Sequence, residues 1–173
     1  MDFLEVLKKR RSTRKFLDKD VSDVQIKELI ELANSSPSAG NLQARSVIVV
    51  KDQNTIEKIR DITGGLSRFE GKIPVILVIL ANTHESEERF KERGKNLYAV
   101  QDATIFTAYV QLIATEMGLA TRWVGAFNEN EITEILELPE TVRPIAMLPT
   151  GFSDEVPSEK NSKGLSEIIL KEV

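Results

Sequence analysis

Apolar positions along the chain recur with two different periods, and the switches between them mark out the elements. Phe3, Leu4 and Leu7 follow Asp2 and precede a basic run, the pattern of a short amphipathic helix with Asp2 as N-cap. Ser22 opens a second helix as a capping box with Gln25, and Ile26, Leu29, Ile30 and Ala33 form its buried face. Pro37 and Gly40 punctuate the loop that follows. The β-branched run 46–50 reads as a strand, and Asn54 or Thr55 is expected to cap a helix through Ile56, Ile59 and Ile62 that stops at Gly64-Gly65.

Residues 74–81 (PVILVILA) are apolar at alternating and intervening positions alike, as in a central strand covered on both faces. The polar stretch 82–96 reads as a surface segment, partly helical. From Leu97 to Met117 the only charges are Asp102 and Glu116. A helix that apolar must be buried on most sides, and one face of it is expected to meet another subunit. Gly118 should end it. Residues 119–127 read as a strand, Asn130 as the cap of a short helix, 143–152 as a further strand, and LSEIIL near the end as an apolar strand. Helix and strand alternate over four or five strands, with no repeat and no linker, so 1–173 reads as a single domain.

Composition removes whole classes of chemistry. The chain has 173 residues, 41% hydrophobic and 29% charged, an ordinary globular balance. There is no cysteine, which excludes disulfides, thiolate metal sites and a thiol nucleophile. The single histidine, His84, lies in a polar stretch without a second, so neither a histidine metal site nor a Ser-His-Asp triad is expected. No metal is expected. No GxGxxG follows a strand, and no P-loop occurs. No secretory signal and no membrane span are expected, which points to a cytoplasmic protein. With so few acid–base groups, any enzymatic reactivity should come from a cofactor.

Two stretches carry candidate chemistry. KKRRSTRKF (8–16) sets six basic side chains into nine positions of a chain whose net charge is −4. Lys8 and Lys9 can simply finish a helix, where cations favour the dipole. Arg11, Ser12, Thr13 and Arg14 instead interleave guanidinium forks with hydroxyls, a donor set that suits a phosphate. In SPSAGNLQ (36–43), Ser38, Asn41 and Gln43 flank a tight Ala-Gly. Such a loop can bond its own backbone, or it can rim a planar heterocycle or polyol.

RRSTRKF, a capped helix and SPSAGNLQ, in that order, resemble the flavin-dependent (FMN) nitroreductase family. The resemblance continues through YAVQDATIFTAYVQLIATEMGLATRWVGAF (98–127), LPTGF (148–152) and KGLSEII (163–169). It implies an α+β fold, a nitroreductase-like mixed central sheet flanked by helices, in an intertwined homodimer with two FMN sites. The implied cofactor-binding residues begin with Arg10, Arg11 and Ser12 at the phosphate and ribityl chain, and Arg14 at the pyrimidine edge. Pro37, Ser38, Ala39, Asn41 and Gln43 follow from the second subunit's loop, and Gly125 and Ala126 present backbone N–H to flavin N5. Where the family usually has arginine before its last segment, this chain reads EKNSKG, so Lys160 or Lys163 would complete the phosphate site. The segment 165–173 would cross to extend the partner's sheet.

The implied activity is ping-pong hydride transfer from NAD(P)H, as co-substrate, through N5 to a small-molecule acceptor such as a quinone, nitroaromatic or free flavin. It needs no catalytic side chain, nucleic acid or membrane. Two alternatives stand beside it: a related flavin enzyme performing reductive dehalogenation or flavin fragmentation, and a nucleic-acid-binding module using 8–15. The acidic net charge and the lack of aromatic residues among the basic ones count against the second.

Overall fold

The structure, a computed structural model, describes residues 2–156 and 162–172. A four-stranded sheet is built from β1 (Arg45–Val50), β2 (Val75–Ala81), β3 (Ala120–Thr121) and β4 (Arg143–Gly151), in the order β1-β2-β4-β3. Helices α1 (Phe3–Lys9), α2 (Asp23–Ala33), α3 (Gln53–Ile62), α4 (Thr83–Arg93), α5 (Ala99–Glu116), α6 (Glu129–Ile135) and α7 (Leu165–Ile168) complete the α+β architecture.

Strand β2 explains the layering. Every one of its residues is buried, and their alternation serves two cores. Val75, Leu77, Ile79 and Ala81 pack with Leu29 of α2 and with Phe106 and Val110 of α5. Ile76, Val78 and Leu80 pack with Ile56 and Ile59 of α3 and Ile132 of α6. The doubly apolar strand is therefore central, as its sequence requires, with one helical layer on each face.

The expected mixed sheet differs in detail. All three ladders, β1–β2, β2–β4 and β3–β4, are antiparallel. Among the described residues, parallel pairing survives only as single bridges, Ser12 with Thr121 and Lys15 with Glu70. The strand expected over 119–127 is regular for two residues only. Pro149 stands opposite Arg122 and has no N–H to return, so Arg122 donates to the Pro149 carbonyl (3.3 Å) without a reciprocal bond. Pairing resumes at Val124, which exchanges both backbone bonds with Met147.

The Ser22 capping box forms with both of its bonds. Asp2 occupies the N-cap of α1, but its side chain makes no capping bond. Helix α3 is capped by Asp52 instead of Asn54 or Thr55: its carboxylate accepts the Thr55 amide (2.8 Å) and hydroxyl (2.7 Å). A carboxylate at the strand end outcompetes the residues that follow it for the free amides. The cap of α6 is Asn128, two residues before Asn130, whose amide it accepts. The stretch 82–96 is more ordered than its polarity suggests, with α4 followed by a wide turn, Gly94–Tyr98, that leads into α5. The apolar tail is not a strand at its start, because Glu167 caps the Gly164 amide (2.9 Å) and turns Leu165–Ile168 into a helical turn.

Candidate functional site

Backbone pairing brings the basic run and the turn after β3 together. Thr13 N–H donates to the Thr121 carbonyl (3.1 Å), so the run passes beside the end of β3 at Ser12 and Thr13. Side chains alternate sides along such a segment. Thr13 is buried, and Arg11 turns back on helix α1, donating to the carbonyls of Lys8 and Arg10. Arg11 thus satisfies the helix C-terminus and stands apart from its basic neighbours. Among the described residues, the side chains of Arg10, Ser12 and Arg14 have no hydrogen-bond or ion-pair partner in the chain. A groove of about 530 Å³ lies beside this run, with Lys8, Lys9, Arg11, Thr13 and Glu155 in its walls.

One carboxylate disciplines the segment. Glu155 Oε2 accepts the amides of Arg14 (2.8 Å) and Lys15 (3.1 Å), while Ser153 donates to the Lys15 carbonyl (2.7 Å). Positive charge nevertheless dominates there. Arg122 is pushed below the usual arginine range, first by burial and then by the neighbouring charges of Arg14 and Arg68, with Glu155 opposing.

Gly125 and Ala126 are exposed just beyond Val124. A cavity of about 190 Å³ adjoins Gly125, with the ion pair of Arg143 and Glu129 in its wall. Arg143 donates to Glu129 through Nε and Nη2, both at 2.7 Å, which depresses the Glu129 carboxyl.

The loop 36–43 is assembled elsewhere in the chain. Gly40, Asn41 and Gln43 all take left-handed backbone conformations, at φ 54°, 55° and 58°. For Asn and above all Gln this is strained, and surrounding contacts must hold it. Three do so from outside the loop's own turn. Asp102 Oδ1 accepts the Ala39 amide (2.9 Å), Arg89 donates to the Gly40 carbonyl (2.9 Å), and Arg45 Nη2 donates to the carbonyls of Asn34 (3.0 Å) and Ser36 (3.2 Å). Asp102 is only 2% exposed and Arg45 only 8%. Burial lowers the Arg45 pKa, and the Asp102 charge opposes that shift. Ser38 is spent inside the loop, accepting the Gln43 amide (2.9 Å), and Gln43 reaches the Asn41 carbonyl (3.3 Å). Pro37 and Asn41 are exposed, and Ala39 is half-buried beside a groove of about 430 Å³ along the start of α5.

Among the described residues no hydrogen bond joins loop 36–43 to residues 10–14 or 125–126 within one chain. Lys163 is exposed on the tail, and Lys160 lies outside the described residues. Sequence reasoning passed over Arg45, Arg68, Arg89, Arg122 and Glu155. Asp102 alone left a signal, as a carboxylate near the start of an otherwise apolar helix. Among the described residues, no group of three metal-ligating side chains forms and no helix is long and apolar enough to cross a membrane.

Comparison with known proteins adds to this geometry. The family model described as "Nitroreductase family" matches residues 7–72 and 63–152. The chain is similar to the FMN reductase (NAD(P)H) of Bacillus subtilis strain 168, with 30% identity over 94% of this chain and 68% of that protein. It is 27% identical to an NADPH-dependent oxidoreductase of Staphylococcus aureus strain USA300, over 84% of this chain, and spans 62% of that protein's length. Among solved structures, a nitroreductase family protein from Clostridium difficile 630 superposes with a TM-score of 0.86 at 30% identity, covering 100% of this chain and 99% of that one.

Proposed function

The chain belongs to the nitroreductase family, and from that premise we propose that it is an FMN-dependent NAD(P)H oxidoreductase working as a homodimer. The observation that carries this reading is the set of uncommitted donors on Arg10, Ser12 and Arg14, on a run that pairs at Thr13 with Thr121, four residues before the exposed backbone of Gly125 and Ala126. FMN, when bound, would supply the redox chemistry, ping-pong hydride transfer through N5 from NAD(P)H to a quinone, nitroaromatic or flavin acceptor.

The chain's own residues bind and orient. Arg10 and Ser12 hold the phosphate and ribityl chain through charge-assisted bonds, and Arg14 stands at the pyrimidine edge. Arg11, turned onto helix α1, supports this set by closing the helix end. Gly125 and Ala126 offer backbone N–H toward N5, where a small residue lets the backbone come close. Pro37, Ser38, Ala39, Asn41 and Gln43 of the second subunit complete the site. With Ser38 and Gln43 occupied within the loop, Asn41 is the side chain free to bond the ring. Lys160 or Lys163 adds a cation to the phosphate.

Several features support the dimer. Leu97, Val100, Ile105, Leu112, Ile113 and Met117, on α5 and just beyond its two ends, are only half-buried in one chain. A groove of about 600 Å³, largely apolar, opens between α1, α2 and α5. Leu165, Ile168 and Leu170 on the tail are exposed, as expected of a segment that packs on the second subunit.

The test is an absorbance spectrum of the purified protein after FMN loading and desalting, then anaerobic addition of NADH or NADPH. Retained flavin absorption that bleaches on addition supports the reading. A colourless protein, or bound flavin that neither nucleotide bleaches, overturns it. Arg14→Ala should lower FMN retention and slow the bleaching.

A further inference from the structure

Arg122 is not needed to explain the fold, and its surroundings are unusual for a cation. Its guanidinium carbon lies 5.4 Å from the centre of the Phe69 ring, which itself stacks on Phe16 at 5.6 Å. Its Nη1 is buried and, among the described residues, has no hydrogen-bond partner. Phe69 belongs to the segment that touches the basic run directly, since Glu70 N–H donates to the Arg14 carbonyl (3.3 Å). Arg68, Arg14 and Arg122 therefore gather around one place, opposed by one carboxylate. That carboxylate, Glu155, is spent on the amides of Arg14 and Lys15 and makes no ion pair with Arg122.

Arginine cannot shed its proton to relieve such crowding. A half-buried guanidinium with one buried, unpaired Nη1 beside two exposed cations is held at a cost that an arriving anion would offset. We propose that Arg122 is a second cation of the flavin's pyrimidine subsite, acting with Arg14 to favour the reduced ring, which carries negative charge at N1, over the neutral oxidised ring. The inference rests on the flavin reading above. Arg122 is then a tuning residue: its charge weighs little in the binding of oxidised FMN and more in the binding of the reduced form.

The experiment is a potentiometric titration of the FMN-loaded protein against a reference dye, paired with FMN affinity from fluorescence quenching. Arg122→Gln should weaken reduced FMN about tenfold relative to oxidised FMN, which lowers a two-electron midpoint by about 30 mV. Arg122→Lys, which keeps the charge, should recover most of that shift. A purely structural role would instead lower the melting temperature of both variants and leave the potential unmoved. An unchanged potential in Arg122→Gln overturns the proposal. If that variant does not hold flavin, Glu155→Gln decides. It keeps an acceptor for the Arg14 and Lys15 amides but removes the opposing charge, so the midpoint should rise, and an unmoved midpoint overturns the proposal. Wild-type protein that binds no FMN sinks the flavin reading itself, whereas flavin-loaded variants with wild-type potentials sink only the role of Arg122.

Discussion

Asp102, in the first turn of helix α5, accepts the amide N–H of Ala39 at 2.9 Å across 63 residues of chain. Its other carboxylate oxygen is buried without a hydrogen-bond partner among the described residues, as are Nε and Nη1 of Arg45 and the Ser36 hydroxyl. One bond thus ties the central apolar helix to a loop whose backbone is strained at Asn41 and Gln43. The buried polar groups around it make the loop sensitive to small changes.

Asp102→Ala should therefore destabilise the protein by about 3 kcal/mol, because the Ala39 amide loses its acceptor and the Arg45 charge loses its nearest carboxylate. Asp102→Asn keeps the acceptor and should recover part of that loss. Urea unfolding of the three proteins checks the order.

Leu112→Glu places a charge in the apolar groove between α1, α2 and α5. On the dimer reading, sedimentation should show half the wild-type mass, and FMN affinity should fall roughly a hundredfold as the second subunit's loop is lost. A monomer that binds FMN as tightly as wild type would show that one chain builds the whole site.

Gly94→Ala should cost about 3 kcal/mol, since an added Cβ would sit 2.1 Å from the Ser86 carbonyl oxygen, where backbone cannot yield cheaply. The damage should spread to loop 36–43, because α4 carries the Arg89 bond to the Gly40 carbonyl. Gly64→Ala meets nothing within 4 Å and serves as the control, with a change of about 0.5 kcal/mol or less. Thermal unfolding separates the two.

The Arg143–Glu129 pair predicts a pH dependence of known sign. The hydrogen bond and charge of Arg143 hold the Glu129 carboxyl below its ordinary value. Its contribution is complete above the unfolded pKa, about 4.3, and is lost as pH falls through the lower folded value. Both side chains are more than 40% exposed, so screening keeps the contribution under about 1 kcal/mol. Unfolding at pH 7 and pH 3 should show Glu129→Gln losing less stability over this interval than wild type.

Local chemistry made much of the fold legible. The Ser22 capping box needs only Ser22 and Gln25, three positions apart in one turn, and it forms as the spacing requires. The doubly apolar β2 had to be central, and Gly118 had to end α5 with its left-handed φ of 74°. The failures share a cause, which is competition the local pattern cannot reveal. Asp52 displaced Asn54 or Thr55 as a cap, and Pro149, opposite Arg122, cut β3 short from another strand.

The same division runs through the site. The sequence by itself determined the chemical inventory: guanidinium and hydroxyl donors in RSTR, a small-residue loop, and no cysteine or second histidine to do side-chain chemistry. Only the tertiary structure decided which donors are spent and which are free. It turned Arg11 onto helix α1, drew Arg122 and Arg68 toward Arg14, and set Asp102 under Ala39. Residue type fixes what bonds a group can make, but charge and hydrogen-bonding act through space, so their partners are chosen by strands and helices far apart in the chain.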